Sequence, residues 1–316
     1  MDGPNACSTG RRREPRIRYG PAGIHVFDRS SGFNVLIDEI RPPASAWAPA
    51  PRQVSIALTN ACDLACPHCF APKTHGLLGF DLLTTWLDEL DANGAIGIGF
   101  GGGEPTLYPK FAELCRYAAE KTGLAVTFTT HGHHLDDGLI AALRRNVHFV
   151  RISMDGVGAT YESLRGRSFE AFQERIIRLK GLAPFGINYV VNSQTFRDLD
   201  AATALAAKVG AAEFLLLPEQ PVGDRGGIGP DIARALQVWV RDYKGRVRLA
   251  ISERGAEDMP TCNPFATETG LRAYAHIDAH GILKETSYNR TGVDIGRIGV
   301  IAALQQLDRS ITYNEE

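Results

Sequence analysis

"VSIALTNACDLACPHCFAPK", residues 54–73, runs from a short apolar stretch straight into three cysteines, Cys62, Cys66 and Cys69. Its opening segment, Val54–Leu58, is too continuously apolar for a half-exposed strand and reads as one buried on both faces. Five comparable runs follow: Ala95–Phe100, Ala125–Thr130, His148–Met154, Ile187–Asn192 and Glu213–Leu217. Between the first two strands, "FDLLTTWLDELDANG" puts Leu82, Leu83, Trp86, Leu87 and Leu90 on one helical face and stops at Asn93-Gly94. Amphipathic segments such as Phe169–Leu182 and Leu199–Val209 fill other gaps. Strands alternating with helices imply right-handed βαβ units around a parallel sheet. Six units are countable, so the expected fold is α/β, a partial (β/α)6 TIM-like barrel.

Ligands of parallel α/β folds sit at the C-terminal ends of the strands. There the sequence places the cysteine loop, then "GGGEP" (Gly101–Pro105), "HGHH" (His131–His134) and "DG" (Asp155-Gly156). Ahead of the barrel, "AGIHVFDRSSGFNVLIDEI" reads as a hairpin turning at Asp28–Gly32. Behind it, "AYAHIDAHGILKETSY" reads as a second hairpin turning at His280-Gly281, and "VIAALQQL" as a closing helix. The expected organisation is a disordered arm over 1–20, an N-terminal hairpin over 21–50, the barrel over 51–245 and a small hairpin-plus-helix appendage over 246–316.

With 316 residues and a net charge of −2, the chain has no basic field to attract nucleic acid. The one basic run, "RRREPRIR" (Arg11 to Arg18), has no apolar periodicity and reads as a solvated arm. No apolar signal segment opens the chain, and no run of ~18 apolar residues could span a bilayer. A soluble cytoplasmic protein is expected, in which thiols stay reduced. Six cysteines in such a chain are not a disulfide framework. Cys7, Cys115 and Cys262 are scattered, the last two expected as buried apolar residues, and the other three are clustered.

Three chemistries compete for the cluster. Cys66-Pro67-His68-Cys69 spells a redox dithiol, but that leaves Cys62 unexplained and the chain is not a compact thioredoxin-like domain. Zinc could take the three thiolates with His68 or His75. That gives no reason for the glycine-rich loop, and His68 is wedged between two of the ligands. The third reading is a [4Fe–4S] cluster held on three irons, with the fourth open, since no further cysteine occurs before Cys115.

The Cys-x3-Cys-x2-Cys spacing after the first strand resembles the radical S-adenosylmethionine (SAM) enzymes, and "FGGGEPTLYP" resembles that family's glycine-glycine-glutamate motif. The resemblance covers roughly residues 53 to 220. It implies one [4Fe–4S] cluster on Cys62, Cys66 and Cys69, with SAM on the open iron and an external one-electron reductant. It also implies a SAM pocket built from Gly102, Gly103 and Glu104, from Ser153, Asp155 and Arg165 in "RISMDGVGATYESLRGRSF", and from Asn192. Glycines let backbone approach a ligand closely, and a carboxylate can pair with the SAM ammonium. His68 stands where the family has an aromatic near the adenine, and His131 stands in place of the asparagine of a Thr-Asn-Gly turn.

The stretch from Cys262 to about Ile298 resembles, more weakly, the SPASM/twitch appendage that holds auxiliary clusters. One cysteine cannot hold a cluster, so a single cluster and a degenerate appendage are expected. The strand-four stretch looks most like enzymes that modify ribosomally made peptides. That implies a precursor-peptide substrate and a separate leader-peptide-binding partner, or strand addition on an exposed hairpin edge. A small metabolite is the alternative substrate, and a non-catalytic metal-binding scaffold the alternative from another class. His131, His133 and Glu219 are the candidate substrate-facing residues.

Overall fold

The computed structural model describes residues 14–222 and 226–315; Cys7 and Arg11–Arg13 lie outside them. Three strands come first: β1 (Arg16–Gly20), β2 (Gly23–Asp28) and β3 (Phe33–Ile37), antiparallel in that order. The barrel then runs β4 (Gln53–Thr59), α1 (Phe80–Ala92), β5 (Gly97–Gly102), α2 (Phe111–Lys121), β6 (Ala125–Thr130), α3 (Asp137–Leu143) and β7 (Phe149–Ser153). It continues through α4 (Ala159–Arg165), α5 (Phe169–Arg178), β8 (Phe185–Val191), α6 (Leu199–Val209), β9 (Glu213–Pro218), α7 (Pro230–Asp242) and β10 (Leu249–Ile251). The C-terminal part adds β11 (Tyr274–Ile277), β12 (Ile282–Lys284), β13 (Val293–Asp294) and α8 (Val300–Glu315).

Strands β4 to β10 are parallel neighbours in chain order, so the chain forms the expected partial barrel with one strand more than its six. The extra strand, β10, has only three residues, too few to leave a pattern. Side chains alternate across each strand. Val54, Ile56, Leu58, Ile98, Phe100, Val126, Phe128, Val150 and Ile152 are buried in one core with Leu83, Trp86, Leu87 and Leu90 of α1. Leu82, expected on that helical face, is 39% exposed at its edge. The opposite face of the sheet carries half-buried polar residues, among them Ser55, Thr127, Thr129, Arg151, Ser153 and Asn188.

Two expectations at the ends of the chain are corrected. The C-terminal hairpin is not a separate appendage, because β11 pairs in parallel with β4 from Tyr274↔Gln53 to Ile277↔Ile56. Its Ala275 and Ile277 are fully buried, which a free-standing hairpin could not achieve.

Part of the expected disordered arm is also ordered, as β1. Arg18 is buried, donating to Glu268 Oε1 at 2.7 Å and to the carbonyls of Ala50 and Gly94 at 2.9 Å. Arg16 pairs with Asp91. These arginines are not solvated because their partners come from parts of the chain far away in sequence. The register then puts Ile17, Val26 and Val35 in one row of the opposite face and Tyr19, Ile24 and Ile37 in the next. That face points outward, with Ile17 and Phe33 more than half exposed and Tyr19 and Val35 close behind.

Candidate active site

The cysteine loop leaves β4 at Thr59 and is closed at its base. Asn60 N–H and Thr59 Oγ1 both donate to the Gly76 carbonyl, at 3.0 and 3.1 Å, and Leu78 N–H donates to Leu58 O at 3.1 Å. Within it Cys66 is buried and Cys62 and Cys69 are half-buried, all three as free thiols. Burial pushes the Cys62 and Cys66 thiols up, so deprotonating them needs nearby positive charge. Arg165 Nη1 lies 3.5 Å from the Cys66 Sγ, and Lys73 Nζ lies 3.6 Å from the Cys69 Sγ. Leu64 N–H points at the Cys62 Sγ from 3.4 Å. Each sulfur thus has a donor aimed at it, an arrangement suited to thiolates that ligate iron.

The glycine-rich loop is fastened to the cysteine loop by backbone. Gly103 N–H donates to Thr59 O and Glu104 N–H to Ala61 O, both at 2.8 Å. A Cβ on Gly102, which sits at φ +118, would lie 2.2 Å from Thr59 O, and one on Gly103 would lie 2.3 Å from Ala61 O. These glycines therefore serve the close approach of two loops of the chain itself. Glu104 is 1% exposed. Its Oε1 accepts from Thr106 Oγ1 at 2.6 Å and from Thr130 Oγ1 at 2.7 Å, and its Oε2 from His131 N–H at 3.0 Å.

Below the cysteines, a second buried carboxylate gathers two residues the sequence had singled out. Asp155 pairs with Arg165 and lies 2.7 Å from His68 Nε2, while its other oxygen accepts from Val190 N–H at 2.8 Å. Burial alone would raise this carboxyl, but Arg165 and His68 beside it hold it down at about 2. His68 Nδ1 and Arg165 Nε are buried without a hydrogen-bond partner. Unsatisfied buried polar atoms are uncommon in folded proteins, and these two are free to accept from or donate to a polar ligand. Free thiols with directed donors and two orphaned nitrogens beside them fit a cluster with a polar ligand on its open iron.

The other residues are placed with varied success. Ser153 ends β7, and Asn192 and Glu219 follow β8 and β9 at the same end of the barrel. Asn192 Oδ1 accepts from the Gln194 and Thr195 N–H groups at 2.9 and 3.1 Å, so it shapes a turn. Glu219 is held by its backbone, between Val191 O and Ile228 N–H. His131, expected to face substrate, is 4% exposed. His133 sits 2.9 Å from the Tyr161 hydroxyl, against Phe172, and burial holds it down at about 4. Cys115 is buried as expected, whereas Cys262 is exposed, within an exposed run from Pro260 to Pro264.

Sequence reasoning missed Asp63, the neighbour of Cys62. Its carboxylate accepts from Arg167 Nη2 at 2.9 Å and lies 2.9 Å from His131 Nε2 and 3.2 Å from His134 Nε2. Its adjacency to Cys62 was the one available signal, since these partners come from distant loops. Ligand atoms of Cys62, Asp63 and His131 lie within 4.8 Å of one another. The zinc ligands weighed from sequence are less favourably placed: His68 is engaged by Asp155, and His75 is exposed.

Residues 56–206 match the family profile described as the radical SAM superfamily. The AdoMet-dependent heme synthase of Methanosarcina barkeri is 29% identical over 200 residues, covering 60% of this chain and 56% of that protein. Mycofactocin maturase MftC of Mycolicibacterium smegmatis is 33% identical over 172 residues, covering 51% and 43%. The chain thus spans about half the length of the curated relatives it matches. In fold, it resembles Streptococcus suis SuiB bound to S-adenosylmethionine, with a TM-score of 0.74 at 13% identity, covering 95% of this chain and 89% of that one. SuiB bound to its precursor peptide SuiA gives 0.73 at the same identity, covering 92% and 87%.

Proposed function

We propose that this chain, whose residues 56–206 match the radical SAM superfamily profile, cleaves SAM reductively at one [4Fe–4S] cluster and modifies a ribosomally made precursor peptide. The observation that carries this reading is the meeting of three free thiols with the Asp155–Arg165–His68 group and its two orphaned nitrogens. When bound, the cluster and SAM would supply one-electron radical chemistry, with the electron coming from an external reductant.

The chain's own residues bind and orient. Cys62, Cys66 and Cys69 would hold three irons, and Arg165 beside Cys66 favours its thiolate. Asp155 keeps Arg165 and His68 fixed, so that their free nitrogens meet a polar ligand without reorganising. Gly102 and Gly103 hold the second loop against the first, and Ser153 and Asn192 border the same mouth. No described helix is long and apolar enough to cross a membrane.

A peptide substrate is supported by the mycofactocin maturase relative and by the fold shared with SuiB. The heme synthase relative favours a second reading, a small metabolite. Anaerobic reconstitution tests the core of the proposal: about four irons per chain and 5′-deoxyadenosine under reduction are expected, and zinc without iron would sink it. Co-expression with peptides encoded beside the gene, followed by mass measurement, separates the substrates. An unchanged peptide beside a consumed metabolite would leave the second reading.

Leader recognition belongs to a separate small partner protein, which is taken up by the outward apolar face of the N-terminal sheet and the open edge of β3. Ile17, Tyr19, Phe33 and Val35 supply that face. A Phe33→Glu/Val35→Glu variant is expected to keep SAM cleavage and lose peptide modification, as these side chains are surface-exposed. Full peptide modification by that variant would exclude the face.

A further inference from the structure

We propose that His131 is a positioning residue: it ties the cysteine loop to the glycine-rich loop and thereby sets the stability and potential of the cluster at Cys62. The inference rests on the cluster proposed above and reassigns a residue first read as substrate-facing.

The hydrogen bonds decide the tautomer. His131 Nδ1 accepts from the His133 backbone N–H at 3.1 Å, so that nitrogen carries no proton. The proton is on Nε2, which donates to Asp63 Oδ1 at 2.9 Å and lies 3.3 Å from Glu104 Oε2. The His131 backbone N–H donates to the same Glu104 oxygen at 3.0 Å. One residue of the loop after β6 therefore holds the neighbour of Cys62, in the loop after β4, and Glu104, in the loop after β5.

At 4% exposure the imidazole is closed to substrate. It is nevertheless close to the ligating sulfur, since ligand atoms of Cys62, Asp63 and His131 fall within 4.8 Å of one another. Hydrogen bonds and fixed dipoles just outside the ligands orient a thiolate and tune a cluster's reduction potential. Asp63 contributes through the same link, its second oxygen accepting from Arg167 Nη2 at 2.9 Å.

Two amides separate the halves of this role. Glutamine places an N–H donor near the position of Nε2, whereas asparagine reaches only to the position of Nδ1. Reconstituted wild-type, His131→Gln, His131→Asn and His131→Ala proteins are compared for cluster loss to a chelator and for midpoint potential by spectroelectrochemistry. His131→Gln is expected to retain its cluster within about twofold of wild type and to keep the potential. His131→Asn and His131→Ala are expected to lose it roughly tenfold faster, with a displaced potential. An asparagine variant equal to wild type, or a glutamine variant equal to alanine, overturns the inference while the cluster reading stands. Wild-type protein that takes up no iron overturns both.

Discussion

Cys66→Ala is expected to abolish the proposed SAM cleavage, with 5′-deoxyadenosine formation falling by at least ~10³-fold, because the proposed cluster would lose one of its three thiolate ligands. The fold is expected to survive. Burial keeps the unligated Cys66 thiol protonated, so no buried charge is orphaned, and its loss costs on the order of 1 kcal/mol. Cys115→Ala is the counterpart, since its thiol is fully buried in the core and burial alone pushes it up. It costs a similar amount of stability but leaves iron content and cleavage intact. Iron content, cleavage and thermal midpoint measured on both variants separate ligation from folding. Equal iron loss in the two would show that the cysteines act through packing alone.

Asp155→Asn is expected to destabilise the protein by about 3–5 kcal/mol, because it leaves Arg165 buried without its counter-charge. His68 loses its charged partner in the same step. The pH profile carries the signature of this carboxylate. Its folded pKa of about 2 lies below the ordinary 3.8, so its contribution is complete above about pH 4 and is lost as pH falls through 2. That displacement alone is worth about 2 kcal/mol. Wild type should therefore lose stability between about pH 4 and 2 more steeply than Asp155→Asn does. Parallel acid-unfolding curves would show that Asp155 carries no such charge in the folded protein. SAM affinity is expected to fall with the variant, since the carboxylate no longer fixes the two free nitrogens.

Much of the site was legible because its chemistry is written locally. Three cysteines within eight positions, and three glycines before Glu104, keep their spacing whatever the rest of the chain does. The strands were legible for a related reason: a strand covered by helices must be apolar along its length, and β6 and α6 have the bounds that periodicity implies. Distant pairing left no comparable trace. Arg18 looked like part of a solvated basic arm until Glu268, 250 residues away, was brought against it. His131 looked substrate-facing because the first strand-end loops are polar, and only Asp63 and Glu104 show that it faces inward.

By itself, then, the sequence determined the kind of barrel, the cluster of three cysteines and the end of the sheet where they stand, because periodicity and residue spacing are short-range properties. Only the tertiary structure decided which way the N-terminal sheet faces, that the C-terminal hairpin joins the barrel beside β4, and that Asp155 and Glu104 are internal anchors. Burial selects those arrangements. A charged group removed from water must find its partner wherever the chain supplies one, and sequence distance sets no limit on where that is.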